Sequence, residues 1–403
     1  MNTAVAAMLI AGCLCASATM AKPHQPIDSV DALDEQIQVT LTYLANGEID
    51  QARLLARQIA WRFPDFALGQ LIWAELESSS AFRDVLVAPS MAIERNVSEL
   101  LLEAQRRLSM STMGDHMPSE VIQLGTDVSD LVVVDLAKST LFQYEVVQKQ
   151  SVPIRQHYVG SGEAGFGKLR EGDLKTPLGV YSITSFIDDA ALPDLYGSGA
   201  LTLDYPNPLD TYLERTGYGI WLHGVPSRQI SRTPYSSEGC VTMSNKHLTR
   251  IANELDILGT RVILTDTTAP ISQSQRKDLQ NIFRQLFTTY QAAWLQGDVR
   301  QLSSLYSNAD ELQTRLASGH DGLMKVGLSE TPTYQQAFAR IQSQDITVIR
   351  HPQLLEHLPD GLELYVMSSH FGANKQYQIT IYWSVDADGQ WRVLTDSVQN
   401  EAL

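Results

Sequence analysis

Between Ser29 and about Leu108 apolar residues recur at helical spacing. Leu33, Ile37, Leu41 and Leu44 share one face, and Gly47 supplies a stop. A second helix carries Leu54, Leu55 and Ile59 and ends near Phe63 and Pro64, and a third carries Ala67, Leu71, Ile72 and Leu76. After the Met, Gly and Pro punctuation of Met113 to Pro118 the period shortens to that of strands. Strands are predicted at Leu131 to Asp135, Leu141 to Val147, His157 to Gly160, Val180 to Ile183, Leu201 to Tyr205, Ile220 to His223 and Arg261 to Leu264. One helix falls near Asn245 to Leu255. Beyond the polar stretch Thr265 to Gln275 a long amphipathic helix begins, with Leu279, Ile282, Phe283, Leu286, Phe287, Tyr290 and Trp294 on its apolar face and Gly297 as its stop. Strands follow at Ile346 to Ile349, Leu362 to Met367, Tyr377 to Trp383 and Trp391 to Leu394, the last two joined by a turn at Asp386 to Gly389. The pattern predicts a multi-domain α+β chain: a helical unit (28–118), a β-rich unit (125–267) and an α+β unit (276–403).

Before these units, Ala4 to Ala11 is a short apolar stretch followed by small residues, with cleavage positions after Ala18 or Ala21. That is the layout of a signal peptide over residues 1–21, although no Lys or Arg precedes the apolar core. Leu9, Ile10, Ala11, Gly12 and Cys13 also have the layout of a lipoprotein cleavage box, which would leave a lipid anchor at Cys13. Both alternatives place the protein in the bacterial envelope, the first of them in the periplasm. No later segment is long and apolar enough for a transmembrane helix, which needs about 20 residues. A formal charge of −16 disfavours nucleic acid and anionic membrane as partners. No Cys or His cluster has zinc spacing, so neither a metal nor a cofactor is expected.

With the leader removed, Cys240 is the sole thiol of the three cysteines. It lies in the run Ser236, Ser237, Glu238, Gly239, Cys240, seventeen positions after His223. A free thiol, with a pKa of about 8.5, is only a few per cent ionised at neutral pH, so a cysteine nucleophile needs a neighbouring base or cation. His223 ends a predicted strand and Cys240 follows a loop rich in Ser, Arg and Pro, so the fold has the means to bring imidazole and sulfur together. Gly239 permits close backbone approach, and the amides of Gly239 and Cys240 are candidates to stabilise an oxyanion. For an arbitrary Cys and His pair the alternative is a buried structural cysteine beside a core histidine.

His223 with Gly224, then Ser237, Glu238, Gly239 and Cys240, resembles the signature of the L,D-transpeptidase catalytic domain, the YkuD-type fold. The resemblance continues upstream through Gly167, Lys168, Glu171, Gly172, Asp173, Lys175, Thr176, Pro177, Gly179 and Tyr181. It includes Tyr205, Pro206, Asn207, Asp210, Thr216, Gly217, Gly219, Ile220 and Trp221, and so covers roughly Asp130 to Thr265. Many members carry Arg two residues after the cysteine, where this chain has Thr242. In the third unit a long helix packed in a curved antiparallel sheet resembles the nuclear-transport-factor-two-like cone. The Ala293, Trp294, Gly297, Asp298, Tyr306 pattern fits that cone. The first unit has short helices, turns and a Pro-Asp entry resembling a tetratricopeptide unit, without a clear second copy. Taken together these features look like the subgroup that includes cell-shape-determining L,D-carboxypeptidases.

The resemblance implies a substrate, the peptidoglycan stem peptide with meso-diaminopimelate third and D-alanine fourth, and a thioester at Cys240 formed with His223 as base. Water would resolve that thioester as a carboxypeptidase does, a second stem peptide would give a crosslink, and a protein amine would attach an envelope protein. Ser237 is expected to orient the histidine, donate to substrate or form a turn, with Gly224 beside it in the orienting set. Lys175, Arg228 and Arg232 are candidates for substrate carboxylates, against the reading of solvated loop charges. Tyr205 and Trp221 are candidates to line the cleft, against core packing, and Thr176 is a turn former with indirect value. The rival readings are a non-catalytic peptidoglycan-binding scaffold and a cysteine peptidase acting on ordinary proteins. The oligomeric state is not legible.

Overall fold

The computed structural model describes residues 30–78, 95–110, 117–266, 270–320, 333–352, 362–371, 377–385 and 388–400. The leader, Cys13 and the start of the Asp386 turn lie outside these residues.

The first unit consists of α1 (Val30–Asn46), α2 (Ile49–Arg62), α3 (Ala67–Ser78) and α4 (Arg95–Ser109). The predicted apolar faces meet in one core containing Leu33, Ile37, Leu41, Leu44, Ile59 and Ile72, against which Leu101 and Ala104 of α4 close. Gly47 ends α1 at φ +80°, a left-handed position that glycine takes without a Cβ penalty. Leu54, expected on the apolar face of α2, is exposed instead, because Leu55 and Ile59 already fill the facing groove.

The chain then forms β1 (Val121–Gln123), β2 (Asp130–Asp135), β3 (Thr140–Val147), β4 (Gln150–Tyr158), β5 (Ser161–Gly162), β6 (Gly179–Ile187) and β7 (Ala200–Leu203). A short α5 (Pro208–Tyr212) leads to β8 (Trp221–His223), β9 (Tyr235–Ser237), β10 (Val241–Thr242), α6 (Asn245–Glu254) and β11 (Thr260–Thr265). Eight of these strands make one sheet in the order β10-β8-β7-β6-β11-β2-β3-β4, with parallel pairing only at β10·β8 and β11·β2. The unbroken apolar run of β2 has a direct cause. Val132 and Val134 point into a core shared with Leu248 and Ile251 of α6, while Leu131 and Val133 point into a second core on the other face. Alternate residues of β11 divide in the same way, Val262 and Leu264 to one side and Ile263 to the other. Strand side chains alternate between faces, so a run apolar at every position marks a sheet covered on both.

What covers the second face is the third unit. It comprises α7 (Gln273–Gln296), α8 (Val299–Leu305), α9 (Ala309–His320), α10 (Tyr334–Phe338), β12 (Thr347–Arg350), β13 (Glu363–Phe371), β14 (Tyr377–Val385) and β15 (Trp391–Asn400). Ser272 and Gln275 form a capping box at the start of α7, and Gly297 ends it in the left-handed region. The predicted aromatic face of α7 is core: Phe283, Phe287, Tyr290 and Trp294 are buried against the sheet. That sheet runs β1-β12-β13-β14-β15, all antiparallel, and its outer face packs Ile349, Leu364, Val366, Tyr382 and Leu394 against the eight-stranded sheet. A buried polar bridge crosses the same junction, with Asp127 3.0 Å from Nδ1 of His370 and 3.5 Å from Arg261.

Every predicted strand is present, most of them longer at one end. The strand expected at His157 begins at Gln150, since Pro153 and the polar residues around it mask the pattern. Short β1, β5, β9 and β10 carry too few residues to show any period.

Candidate active site

β8 and β10 lie side by side at one edge of the eight-stranded sheet, with Val241 opposite Leu222 and Thr242 opposite His223. This register places Cys240, which immediately precedes β10, and His223, the last residue of β8, in the walls of one cleft of about 890 Å³. His223 is buried, with its Nδ1 2.7 Å from the carbonyl oxygen of Gly224. Donation from Nδ1 to that carbonyl fixes the tautomer and leaves Nε2 with its lone pair, which is what a base requires. The edge of the imidazole rests on Tyr196 at 4.9 Å between ring centroids, and Tyr196 also meets Trp221 at 5.1 Å. Burial, reinforced by the charge of Arg232, lowers the His223 pKa to about 4 against the pull of Gly224.

The Cys240 thiol is half-buried and donates to the carbonyl of Gly219 at 3.3 Å. Burial pushes it up to about 11, with Glu238 adding to the rise while the Trp221 amide, Lys168 and Arg232 oppose it. Among the described residues no hydrogen bond joins sulfur to imidazole. Burial thus favours the neutral thiol and the neutral imidazole in a shared cleft.

The turn before the cysteine is held from within. Ser237 Oγ donates to the Cys240 carbonyl at 2.6 Å and accepts from the Gly239 amide at 3.2 Å. Of the three readings for Ser237, these contacts are those of a turn former. They also engage one of the two amides expected to face an oxyanion. Gly239 has φ +131°, and a Cβ there would come within 2.8 Å of the Lys175 carbonyl, so both backbone shape and space call for glycine.

Behind the histidine sits a clasp. Asn245, the first residue of α6, accepts from the amides of Ser198 at 3.1 Å and Val225 at 3.0 Å and donates to the Val225 carbonyl at 2.8 Å. It thereby ties the segment carrying Tyr196 to the turn whose Gly224 carbonyl orients His223. A Cβ on Gly224 would fall 2.1 Å from the Asn245 oxygen.

The remaining candidates divide. Trp221 and Arg232 line the cleft, and Arg232 donates to the Ser236 carbonyl at 3.2 Å. Lys175 and Arg228 are not in its walls; the backbone of Lys175 binds the Asp173 carboxylate at 3.1 Å. Tyr205 is a core residue whose hydroxyl donates to the Thr216 carbonyl at 3.0 Å, and Thr176 is fully buried, its hydroxyl accepting from the Gly162 amide at 2.8 Å. Sequence reasoning missed Lys168, paired with Asp173 at 2.8 Å in the cleft wall, and Tyr196. It also missed Leu100 and Glu103 of α4, from a unit that shows no chemical motif. No group of His, Cys, Asp or Glu side chains suited to a metal ion occurs among the described residues, and no described helix is long and apolar enough to cross a membrane.

Residues 129–264 match the family model of the L,D-transpeptidase catalytic domain, YkuD, which makes the central unit a domain of the peptidoglycan-acting type. No curated protein matches the chain. Among solved structures, a variant of the helical cell shape determining protein Pgp2 from Campylobacter jejuni aligns over 76% of this chain and 100% of its own, at 20% identity and a TM-score of 0.51. A second Pgp2 structure aligns over 70% of this chain and 96% of its own, at 20% identity and a TM-score of 0.49. Bd1075 of Bdellovibrio bacteriovorus aligns over 71% of this chain and 99% of its own, at 20% identity and a TM-score of 0.48. At this identity the similarity to the Pgp2 variant is one of fold.

Proposed function

We propose that the protein is a cysteine acyl-transfer enzyme that cleaves the L,D bond after the third residue of peptidoglycan stem peptides. The observation that carries this reading is the pairing of β8 with β10, which sets a neutral thiol and a neutral, tautomer-fixed imidazole in one open cleft of the matched domain. Sulfur attacks the carbonyl carbon of the third residue as His223 Nε2 takes the thiol proton. The C–O π pair moves to oxygen, and the Cys240 amide is the backbone donor for that oxyanion, since Ser237 holds the Gly239 amide. When the tetrahedral species collapses, the C–N bond breaks, the imidazolium protonates the departing D-alanine amine, and a thioester remains. His223 then takes a proton from whatever attacks the thioester carbon and returns it to the Cys240 sulfur as the C–S bond breaks. Water releases a tripeptide; the amine of another stem peptide forms a crosslink.

In this reading the chain is exported, by cleavage after Ala18 or Ala21 or by lipidation at Cys13. The third unit, a long helix on a five-stranded antiparallel sheet, is a nuclear-transport-factor-two-like cone, and the first is a tetratricopeptide-like accessory unit. The test is incubation of the purified protein with disaccharide tetrapeptide and separation of products by mass. Tripeptide plus D-alanine identifies the hydrolase and a dimer identifies the transferase. An unchanged tetrapeptide with bound muropeptide would overturn the enzymatic reading in favour of a scaffold.

A further inference from the structure

The segment between β8 and β9 leaves the histidine, crosses the rim of the cleft and returns toward the cysteine. Its anchors lie on a different unit of the chain. Ile230 packs into the core of the helical unit. Ser231 Oγ donates to Glu103 at 2.8 Å, and Thr233 Oγ1 donates to Glu99 at 3.3 Å. Both carboxylates are on α4. A third connection runs through Arg107, whose guanidinium lies 4.1 Å from the ring centroid of Tyr158, while the Tyr158 hydroxyl donates to the Arg232 carbonyl at 3.0 Å. Arg232 sits between the anchored neighbours Ser231 and Thr233 and turns its side chain to the cleft wall.

The energetics of Glu103 indicate more than incidental contact. It is 1% exposed, and burial raises its pKa against the stabilising charge of Arg107 and the hydrogen bond from Ser231. A carboxylate in so dry a place is costly unless its acceptor positions are filled. Arg107 at 2.9 Å and Ser231 at 2.8 Å both donate to its Oε1, and Arg107 is held independently by Asp34 at 2.8 Å. The Arg107 charge thus keeps a partner whether or not Glu103 is present.

We propose that α4 is a working wall of the active site. By holding Ser231 and Thr233, Glu103 and Glu99 act as positioning residues that keep Arg232 facing the groove, where its guanidinium meets a carboxylate of the bound peptide. This inference deepens the function proposed above and rests on it for the identity of the substrate. The geometric part, that α4 sets the loop and access to Cys240, stands on its own contacts.

The test uses the full-length protein with Ser231→Ala, Glu103→Ala and Glu103→Gln. Three quantities are read: hydrogen exchange of residues 226–236, the rate of Cys240 alkylation by iodoacetamide, and kcat and KM on disaccharide tetrapeptide. The alanine variants are expected to exchange faster in that loop, to alkylate several-fold faster and to lose about 5–10-fold in kcat/KM, carried mainly by KM. Glu103→Gln, which retains an acceptor oxygen for Ser231, restores all three. A merely structural role would lower the melting temperature without splitting KM from kcat and without rescue by Gln. Loop exchange and alkylation identical to wild type in both alanine variants would overturn the proposal whatever the turnover. A wild-type protein that leaves tetrapeptide intact, while its loop responds to the variants, would overturn the assigned substrate and leave the positioning role of α4 supported.

Discussion

Two places in this molecule bury titratable side chains, and they do so to opposite ends. In the cleft, Cys240 and His223 are both pushed toward their neutral forms, and among the described residues no hydrogen bond occupies Nε2 of His223. In the third unit Asp396 is fully buried and accepts from Tyr290, from Tyr306 at 2.7 Å and from Tyr334 at 3.1 Å, with Arg315 at 2.9 Å. There burial raises the carboxyl pKa while Arg315 and the three hydroxyls oppose it, so the acid's acceptor capacity is used internally. Burial alone therefore does not mark a candidate active site. What separates the two is whether the polar inventory closes on itself or leaves valence directed at solvent.

Substitutions sharpen that contrast, beginning where the effect is greatest. Cys240→Ala is expected to lower turnover by about 10⁴ or more while leaving the melting temperature within a few degrees of wild type, because the sulfur supports chemistry and little packing. Product mass analysis and a thermal scan measure the two halves. Asp396→Ala should do the converse. Removing the buried acceptor shared by Tyr290, Tyr306 and Tyr334 is expected to cost about 3–5 kcal/mol in a denaturant titration, with turnover retained at temperatures where the variant stays folded. A variant of Asp396 that kept its stability and lost activity would erase the distinction.

A third expectation concerns acid. His223 titrates near 4 and His351 near 3 in the folded protein, both chiefly because they are buried, against 6.5 for a free imidazole. Between those values the unfolded chain binds more protons than the folded one. The stability each contributes is thus complete above about 6.5 and is lost as pH falls toward 4, on the order of 3 kcal/mol per histidine over the whole window. Denaturant midpoints measured from pH 7 to 4 should fall, and His223→Gln should flatten the slope. The smallest effect belongs to Asn245→Ala. Loosening the clasp on Val225 and Ser198 is expected to reduce kcat about 10-fold with little change in KM, since it disturbs the orientation of His223 rather than the groove.

Much of the fold was legible because the central strands β2 and β11 carry apolar runs and the helices are apolar at one face. Val132, Val133 and Val134 mark a strand, which the structure buries on both faces, and Gly47 and Gly297 stop helices where the period predicts. His223 and Cys240 stand out in the sequence for a different reason, since few residue types can supply a base and a nucleophile, and the structure places both in the walls of one cleft. The supporting candidates stand out less. Lys175 and Arg228 carry the same charge as Arg232, and nothing local in the sequence states which of the three turns toward the groove. Glu103 was invisible for a stronger reason: it lies 120 residues or more before the cysteine and histidine it shares a cleft with, in a helix whose pattern specifies a core and nothing else. Long-range placement of this kind is decided by packing between units, which local period does not encode.

The pairing of Val121–Gln123 with Thr347–Arg350 has a consequence for how the polypeptide is made and divided. A strand that precedes the catalytic sheet in the chain finds its neighbour only after more than two hundred further residues have been synthesised. Until then the face bearing Leu131, Val133 and Ile263 has no cover. Cutting the gene after residue 267 would therefore not liberate a minimal enzyme; it would yield a fragment with one bare apolar surface and an orphaned edge, prone to self-association.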